Sequence, residues 1–382
     1  MNKLKKEYQK MLTLSQRIVI KVGTSSLTNQ DGKISTEKIV SLVSQIAHLH
    51  QKGKQIILVS SGAVGAGMGK MQLTQKPEKI PQIQALAAIG QGLLIQSYEN
   101  LFTRYGIIIS QILLTKDDFS DRERYLNARN TMESLLDYRV IPIINENDTI
   151  AAEEIKFGDN DSLAALVSGL LAADLLIILS DVAGFYTEDP KKNADAKLVP
   201  LIEDLTDEIV AQASDAGSKF ASGGMITKLN AAAIANAQGI PMVLADSDHP
   251  QVLLQLLAGN CPGTLFLPNE NPLCSHKSWL AFGIQPEGKI LLDKGAEIAI
   301  LEHGKSLLAT GITKVEGSFL RGAAVSIVGP SGEIARGLTN YSSQEISRIK
   351  GQHSSEIKQL LTNAHDLEVV HRDYLSLLEY KT

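Results

Sequence analysis

Cysteine is nearly missing from this sequence: Cys261 and Cys274 are the only two in 382 residues. Two cysteines cannot make a disulfide framework or supply the four ligands of a structural zinc site, so a reducing, cytoplasmic setting is expected. Long apolar runs are missing as well. No segment approaches the ~20 charge-free residues that span a bilayer, and the opening MNKLKKEYQKMLTLSQR lacks the apolar stretch of a signal peptide, so no membrane association is expected. Neither sign of charge dominates. With 37 Lys and Arg against 42 Asp and Glu the net charge is -5, which removes any whole-chain attraction to nucleic acid or anionic lipid. Disorder is excluded for most of the length, because 44% of residues are hydrophobic and only 21% charged.

Aromatic residues are scarce at 5%, whereas glycines number 30, a balance that suits tight strand-to-helix turns around aliphatic cores. The length exceeds the roughly 100 to 200 residues of one ordinary domain, so two domains are expected. Residues 17–22 (RIVIKV) and 55–60 (QIILVS) are β-branched runs that read as strands. Between them Ile39, Leu42, Val43, Ile46 and Leu49 recur at three- and four-residue steps. Ser35 can cap that helix and Gly53 can end it. Strand, helix, strand implies a right-handed crossover and a parallel pair. The rhythm continues with a helix near 83–102, a strand at 107–113, a helix at 121–136 and a strand at 139–144. Apolar strands follow at 175–179 and 242–245, each behind an alanine-rich helix. The expected fold is α/β, a doubly wound and mostly parallel sheet over residues 1–267.

The rhythm breaks at PNENPLCSH, so a linker is expected over 268–282. Beyond it, short strands at 289–292, 297–300, 324–328 and 333–335 alternate with glycine turns. Residues 283–382 therefore read as a small β-rich domain, whose tail, 355–378, has mixed helical character. Within 283–355 eight Lys and Arg face seven Asp and Glu, which does not mark a nucleic-acid binder.

Ligands of open parallel sheets sit beyond the carboxyl ends of the strands. The first strand runs into Lys21-Val22-Gly23-Thr24-Ser25-Ser26 and the second into SSGAVGAG from Ser60 to Gly67. Backbone N–H groups at small, glycine-punctuated turns bind anions, although any one such turn reads equally well as close packing. Two familiar patterns fail. The residues around Gly69-Lys70 lack the spacing of a P-loop, and Gly62, Gly65, Gly67 and Gly69 do not fit the dinucleotide fingerprint. Asn145-Glu146-Asn147-Asp148 follows the strand VIPII, and Gly158-Asp159-Asn160-Asp161-Ser162 precedes a helix. Taken alone, Asp161 or Ser162 reads as a helix cap. GSKFASGGMITK then places Ser222, Gly223, Gly224 and Thr227 ahead of a helix, with Lys228 in its first turn, where a cation opposes the helix dipole unless an anion is bound.

Two lysines, glycine-rich loops and amide or acidic clusters suit phosphoryl transfer, which needs positioning and electrostatic stabilisation. All eight histidines fall outside the strand-end clusters, so no imidazole base stands out. A carboxylate acceptor requires none, being already ionised at neutral pH.

In sequence order, IVIKVGTSSL, ILVSSGAVGAG, DRERYLNARNT, IPIINENDT, IKFGDNDSLAA, LLIILSDVAGFYTEDP and GGMITK resemble the glutamate 5-kinases of the amino acid kinase family. GITKVEGSFLR with EIARGLTN resembles their appended PUA domain. The resemblance implies ATP-dependent phosphorylation of the side-chain carboxylate of L-glutamate, the first step toward proline, with ATP and Mg2+ as cofactors. Carried over residue by residue, Lys21 and Lys228 stabilise the transferring phosphoryl group and Asp161 organises them. Ser61, Gly62, Asp148 and Asn160 match glutamate-binding positions, with Asp148 a partner for the ammonium. Lys21, Ser180, Asp181, Ser222, Gly223, Gly224, Met225, Ile226, Thr227 and Lys228 match nucleotide-binding positions. No metal ligand is named. The resemblance further implies a homo-oligomer (dimer or tetramer), feedback inhibition by proline, and glutamyl 5-phosphate reductase as a candidate partner. Two alternatives stay open. One is a sister kinase acting on another small carboxylate. The other is an RNA-binding protein led by its PUA-like domain, with the kinase fold as a sensor, against which the near-neutral charge favours a structural or regulatory role for that domain.

Overall fold

The computed structural model describes residues 2–29, 35–150, 160–188, 190, 193, 195–206, 209, 224–269, 286–352 and 368–378. The chain divides into two compact units, residues 1–118 with 122–272, and residues 119–121 with 273–382.

The first unit is built on strands β1 (Arg17–Val22), β2 (Gln55–Ser60), β3 (Ile109–Leu114), β4 (Ile141–Glu146), β5 (Leu175–Ser180), β6 (Leu201–Ile202), β7 (Met242–Asp246) and β8 (Gly263–Phe266). They form one sheet in the order β3-β4-β2-β1-β5-β7-β8-β6. Every neighbouring pair is parallel except β7 with β8. Strands β4 and β5 are buried along their whole length, as expected where helices cover both faces. The sequence showed no sign of the short strands β6 and β8, which carry little periodicity of their own.

The α-helices described from residue 2 to residue 257 are α1 (Asn2–Leu14), α2 (Thr36–Gln51), α3 (Ala63–Lys70), α4 (Ile80–Phe102), α5 (Lys116–Ser120), α6 (Arg122–Asp137), α7 (Asn160–Leu170), α8 (Met225–Ala237) and α9 (Val252–Leu257). Helix α2 begins where its sequence says it should. The Ser35 hydroxyl accepts from the Lys38 N–H, the predicted apolar positions are buried, and Gly53 follows with φ of 89°. The glycine-rich stretch after β2 divides between two roles. Gly62 caps α3 in the left-handed region with φ of 101°, a conformation open to glycine. Gly67 instead lets α4 approach. A Cβ on Gly67 would lie 2.0 Å from the Leu86 carbonyl oxygen, and one on Gly90 would lie 1.7 Å from that of Ala63. Close packing, the bland reading, thus holds for Gly67 but not for Gly62.

The second unit carries β9 (Gly288–Leu292), β10 (Ile312–Gly317), β11 (Ala324–Gly329), β12 (Gly332–Leu338) and β13 (Leu375–Leu377) in the order β10-β9-β11-β12-β13. Helices α10 (Lys294–Leu301) and α11 (Ser343–Ile349) accompany them. The strand expected at 297–300 is corrected: those residues lie in α10. Asp293 caps that helix by accepting from the Ala296 N–H, and the buried Glu297 carboxylate takes the Lys294 ammonium and the Ser331 hydroxyl. A capped start and anchored acid outweigh the alternation of EIAI. The tail is described only in part, and that part includes a short 3-10 helix at Arg372–Tyr374. Its described part, 368–378, gives a turn and strand β13, while 353–367 and most of the expected linker lie outside the described residues.

Candidate active site

Parallel pairing brings the carboxyl ends of β1, β2, β4, β5 and β7 to one edge of the sheet, and the predicted residues cluster there. Lys21 is the penultimate residue of β1, Asp161 lies in the first turn of α7, and Lys228 in the first turn of α8. All three are buried, at 7%, 0% and 5% exposure. The Lys21 ammonium pairs with Asp161 Oδ1. That of Lys228 lies 3.3 Å from Oδ2, and the Thr227 hydroxyl donates to the same oxygen at 3.1 Å. Burial pushes the Asp161 carboxyl toward the neutral form. The attraction of Lys21 and then Lys228, with hydrogen bonds from Lys21 and Thr227, outweighs it and holds the pKa below the ordinary value. One carboxylate between two ammonium groups leaves this trio with one positive charge in excess. A buried excess of that sign is costly unless an anion shares the site.

Asp161 was readable as a helix cap. In the structure it lies within the first turn of α7 and its carboxylate pairs with the two lysines.

Asn160, next to it, faces β2 and β4. Its Nδ2 donates to the Ser60 carbonyl oxygen at 2.9 Å, to the Ser61 hydroxyl at 2.9 Å and to Asn145 Oδ1 at 2.8 Å. Because Ser61 Oγ accepts from Asn160, its own proton is available to donate outward. With Nδ2 turned inward, Asn160 keeps Oδ1 as its outward end. The pair therefore offers one donor and one acceptor to a bound molecule. Gly62 stands beside Ser61 at the start of α3, whose N–H groups favour an anion.

The remaining predicted residues are placed as follows. Asp148 is half-buried in the turn just past β4. Ser180 ends β5, the strand beside β1, and its hydroxyl donates to Asp181 at 3.1 Å. Gly224 caps α8, followed by half-buried Met225 and Ile226. Ser222 and Gly223 lie outside the described residues. His249 lies just past β7, closer to this edge than the sequence reading allowed, whereas His50 is held by the Arg139 carbonyl at 3.0 Å. Among the described residues no group of three or more His, Cys, Asp or Glu could hold a metal ion. No described helix is long and apolar enough to cross a membrane.

Sequence reasoning missed Gln91 and gave Asn145 no role. Gln91 Oε1 accepts from Asn145 Nδ2 at 2.7 Å, both side chains buried. A signal existed, since helical spacing puts Gln91 on the face of α4 that buries Ala87, Leu94 and Tyr98, where an amide is out of place without a partner.

Comparison with known proteins follows the two units. Residues 16–246 match the model of the amino acid kinase family, and residues 288–361 match that of the PUA domain. A glutamate 5-kinase of Caldanaerobacter subterraneus subsp. tengcongensis is 52% identical, over 95% of this chain and 98% of its own. Glutamate 5-kinases of Moorella thermoacetica and Geobacter sulfurreducens are each 47% identical, over 98% and 96% of this chain and 99% of theirs.

Proposed function

The chain belongs to the amino acid kinase family, and from that premise we propose that it transfers the γ-phosphoryl group of ATP to the side-chain carboxylate of L-glutamate. The product is L-glutamyl 5-phosphate and the reaction opens proline biosynthesis. The observation that carries the reading is the pairing of two buried lysines with one buried carboxylate at the ligand-binding edge of the sheet. Relatives that share about half of its residues along nearly its whole length bear the glutamate 5-kinase name.

In this reading the nucleotide lies across the ends of β1 and β5, against Ser180, Asp181 and the residues from Ser222 to Lys228. Glutamate lies at Ser61, Gly62, Asp148 and Asn160. The donor set fits polyphosphate: two ammonium groups, the N-terminal turns of α3 and α8, and an acidic partner too short of charge to neutralise both lysines. Mg2+ would supply further neutralisation of phosphate charge. The glutamate carboxylate is the nucleophile and arrives ionised, so no side chain has to remove a proton. One of its oxygens bonds to the γ-phosphorus as the bond to the ADP oxygen breaks, and the electron pair leaves with ADP. Lys21 and Lys228 stabilise the charge spread over the moving phosphoryl oxygens. Asp161 acts by fixing where the two ammonium tips stand. Ser61 donates to a substrate oxygen, and Asp148 and the Asn160 carbonyl receive the ammonium.

We read residues 1–267 as the catalytic domain, 268–282 as the linker and 283–382 as a structural or regulatory domain. A cytoplasmic homo-oligomer, inhibited by proline and handing its unstable acyl phosphate to a reductase, completes the proposal. Incubation with ATP, Mg2+, L-glutamate and hydroxylamine should yield glutamyl hydroxamate. Turnover with aspartate or acetylglutamate but none with glutamate overturns the substrate assignment.

A further inference from the structure

Three amides form a relay that ends at the glutamate site. Gln91 Oε1 accepts from Asn145 Nδ2 at 2.7 Å, and Asn145 Oδ1 accepts from Asn160 Nδ2 at 2.8 Å and from the Glu146 N–H at 2.9 Å. Asn160 Nδ2 also reaches the Ser60 carbonyl. Two of these contacts have a single chemical solution. A backbone N–H only donates, so the Asn145 atom facing Glu146 is its oxygen. A carbonyl only accepts, so the Asn160 atom facing Ser60 is its nitrogen. The nitrogen of Asn145 must then meet an acceptor, and Gln91 supplies it. The other end of Gln91 serves no structural bond: its buried Nε2 has no hydrogen-bond partner among the described residues. A buried donor left unmet is unfavourable for the fold, so packing and stability alone would favour an apolar residue here.

We propose that Gln91 is a positioning residue that sets amino-group recognition. By holding Asn145 it holds Asn160 with the nitrogen turned into the protein and the carbonyl oxygen presented to the substrate's α-ammonium. The inference deepens the glutamate reading and rests on it. Gln91 touches no substrate; together with the Glu146 N–H and the Ser60 carbonyl it holds in place the amide that does. Without it Asn145 loses the partner of its nitrogen, the Glu146 N–H and the Ser60 carbonyl are left to hold the two amides, and the Asn160 oxygen is presented less firmly to the ammonium.

The test uses the full chain in the hydroxamate assay, with glutarate as a competitor that has both carboxylates and lacks the ammonium. Gln91→Met keeps length and apolar contact and removes the acceptor. The expected result is a glutamate KM about tenfold higher, the loss of one hydrogen bond to a charged group, with kcat and the ATP KM within about twofold. The ratio of glutarate Ki to glutamate KM should fall about tenfold. In an Asn160→Ala background Gln91→Met should add nothing further. An unchanged glutamate KM, an equal rise in the ATP KM, or full additivity with Asn160→Ala overturns the proposal. If Gln91→Met does not fold, Gln91→Glu retains an acceptor for Asn145. A preserved or increased Ki-to-KM ratio then supports the relay, and a collapsed ratio overturns it. Inactivity of the unaltered protein toward glutamate counts instead against the substrate assignment, since the relay is scored relative to that protein.

Discussion

Lys21 and Lys228, one at the end of a strand and the other in the first turn of a helix far along the chain, meet on the two oxygens of the Asp161 carboxylate. Neither lysine is exposed enough to be a solvated surface charge. In the proposed reaction their meeting point is where the phosphoryl group is received, and the consequences are measurable.

Lys228→Ala should lower kcat by about 10²- to 10³-fold, the usual effect of removing one group aimed at transition-state charge. Its glutamate KM should change by less than about threefold, because the contact strengthens as charge develops on the phosphoryl oxygens. Steady-state kinetics varying each substrate separates the two. A loss confined to KM contradicts the role.

Asp161→Asn leaves two buried cations without their shared anion and should destabilise the fold by about 3 to 5 kcal/mol, read from denaturant midpoints. The parent protein should show the same dependence in its acid limb. The folded-state pKa of Asp161 is depressed. Its contribution is therefore complete above the ordinary carboxylate range near pH ~4 and is lost as pH falls toward the depressed value. Thermal melts below pH ~4 should show Asp161→Asn losing less stability per pH unit than the parent. Parallel acid limbs contradict this.

Ser61→Ala should raise the glutamate KM about tenfold, the cost of one hydrogen bond to a charged acceptor, and leave the ATP KM unmoved. The Asn160 amide, which donates to Ser61 Oγ, loses one of its three acceptors at the same time. Substrate titrations of initial rate check this, and an equal shift in both KM values contradicts it.

Gly90→Ala forces a methyl group into the Ala63 carbonyl where α3 and α4 touch. Destabilisation of about 1 to 3 kcal/mol is expected from overpacking. Since α3 begins at Gly62, the glutamate KM should rise as well. Denaturant midpoints and kinetics on one preparation test both, and an unchanged midpoint contradicts the packing argument.

Much of this protein was legible in its sequence because the relevant physics is local. Apolar runs such as RIVIKV and LLIIL read as buried strands, and the spacing of Ile39, Leu42, Val43, Ile46 and Leu49 reads as the inner face of a helix. A lysine in the first turn of α8 stood out because it opposes the dipole. Where local signals were weak the sequence misled. EIAI alternates like a strand, yet an aspartate cap and an ion pair from the exposed Lys294 to the buried Glu297 make it helix α10. Pairing partners decided the rest. Whether Asp161 caps its helix or joins two lysines depends on which strands lie beside β1. That Gln91 closes a chain of amides depends on α4 bringing it within hydrogen-bond reach of Asn145 in β4. The residue types fixed what each group can do, since an amide has one donating and one accepting end and a lysine has a charge. Only the folded chain, by bringing distant positions within a few ångströms, decided which of those capacities face each other.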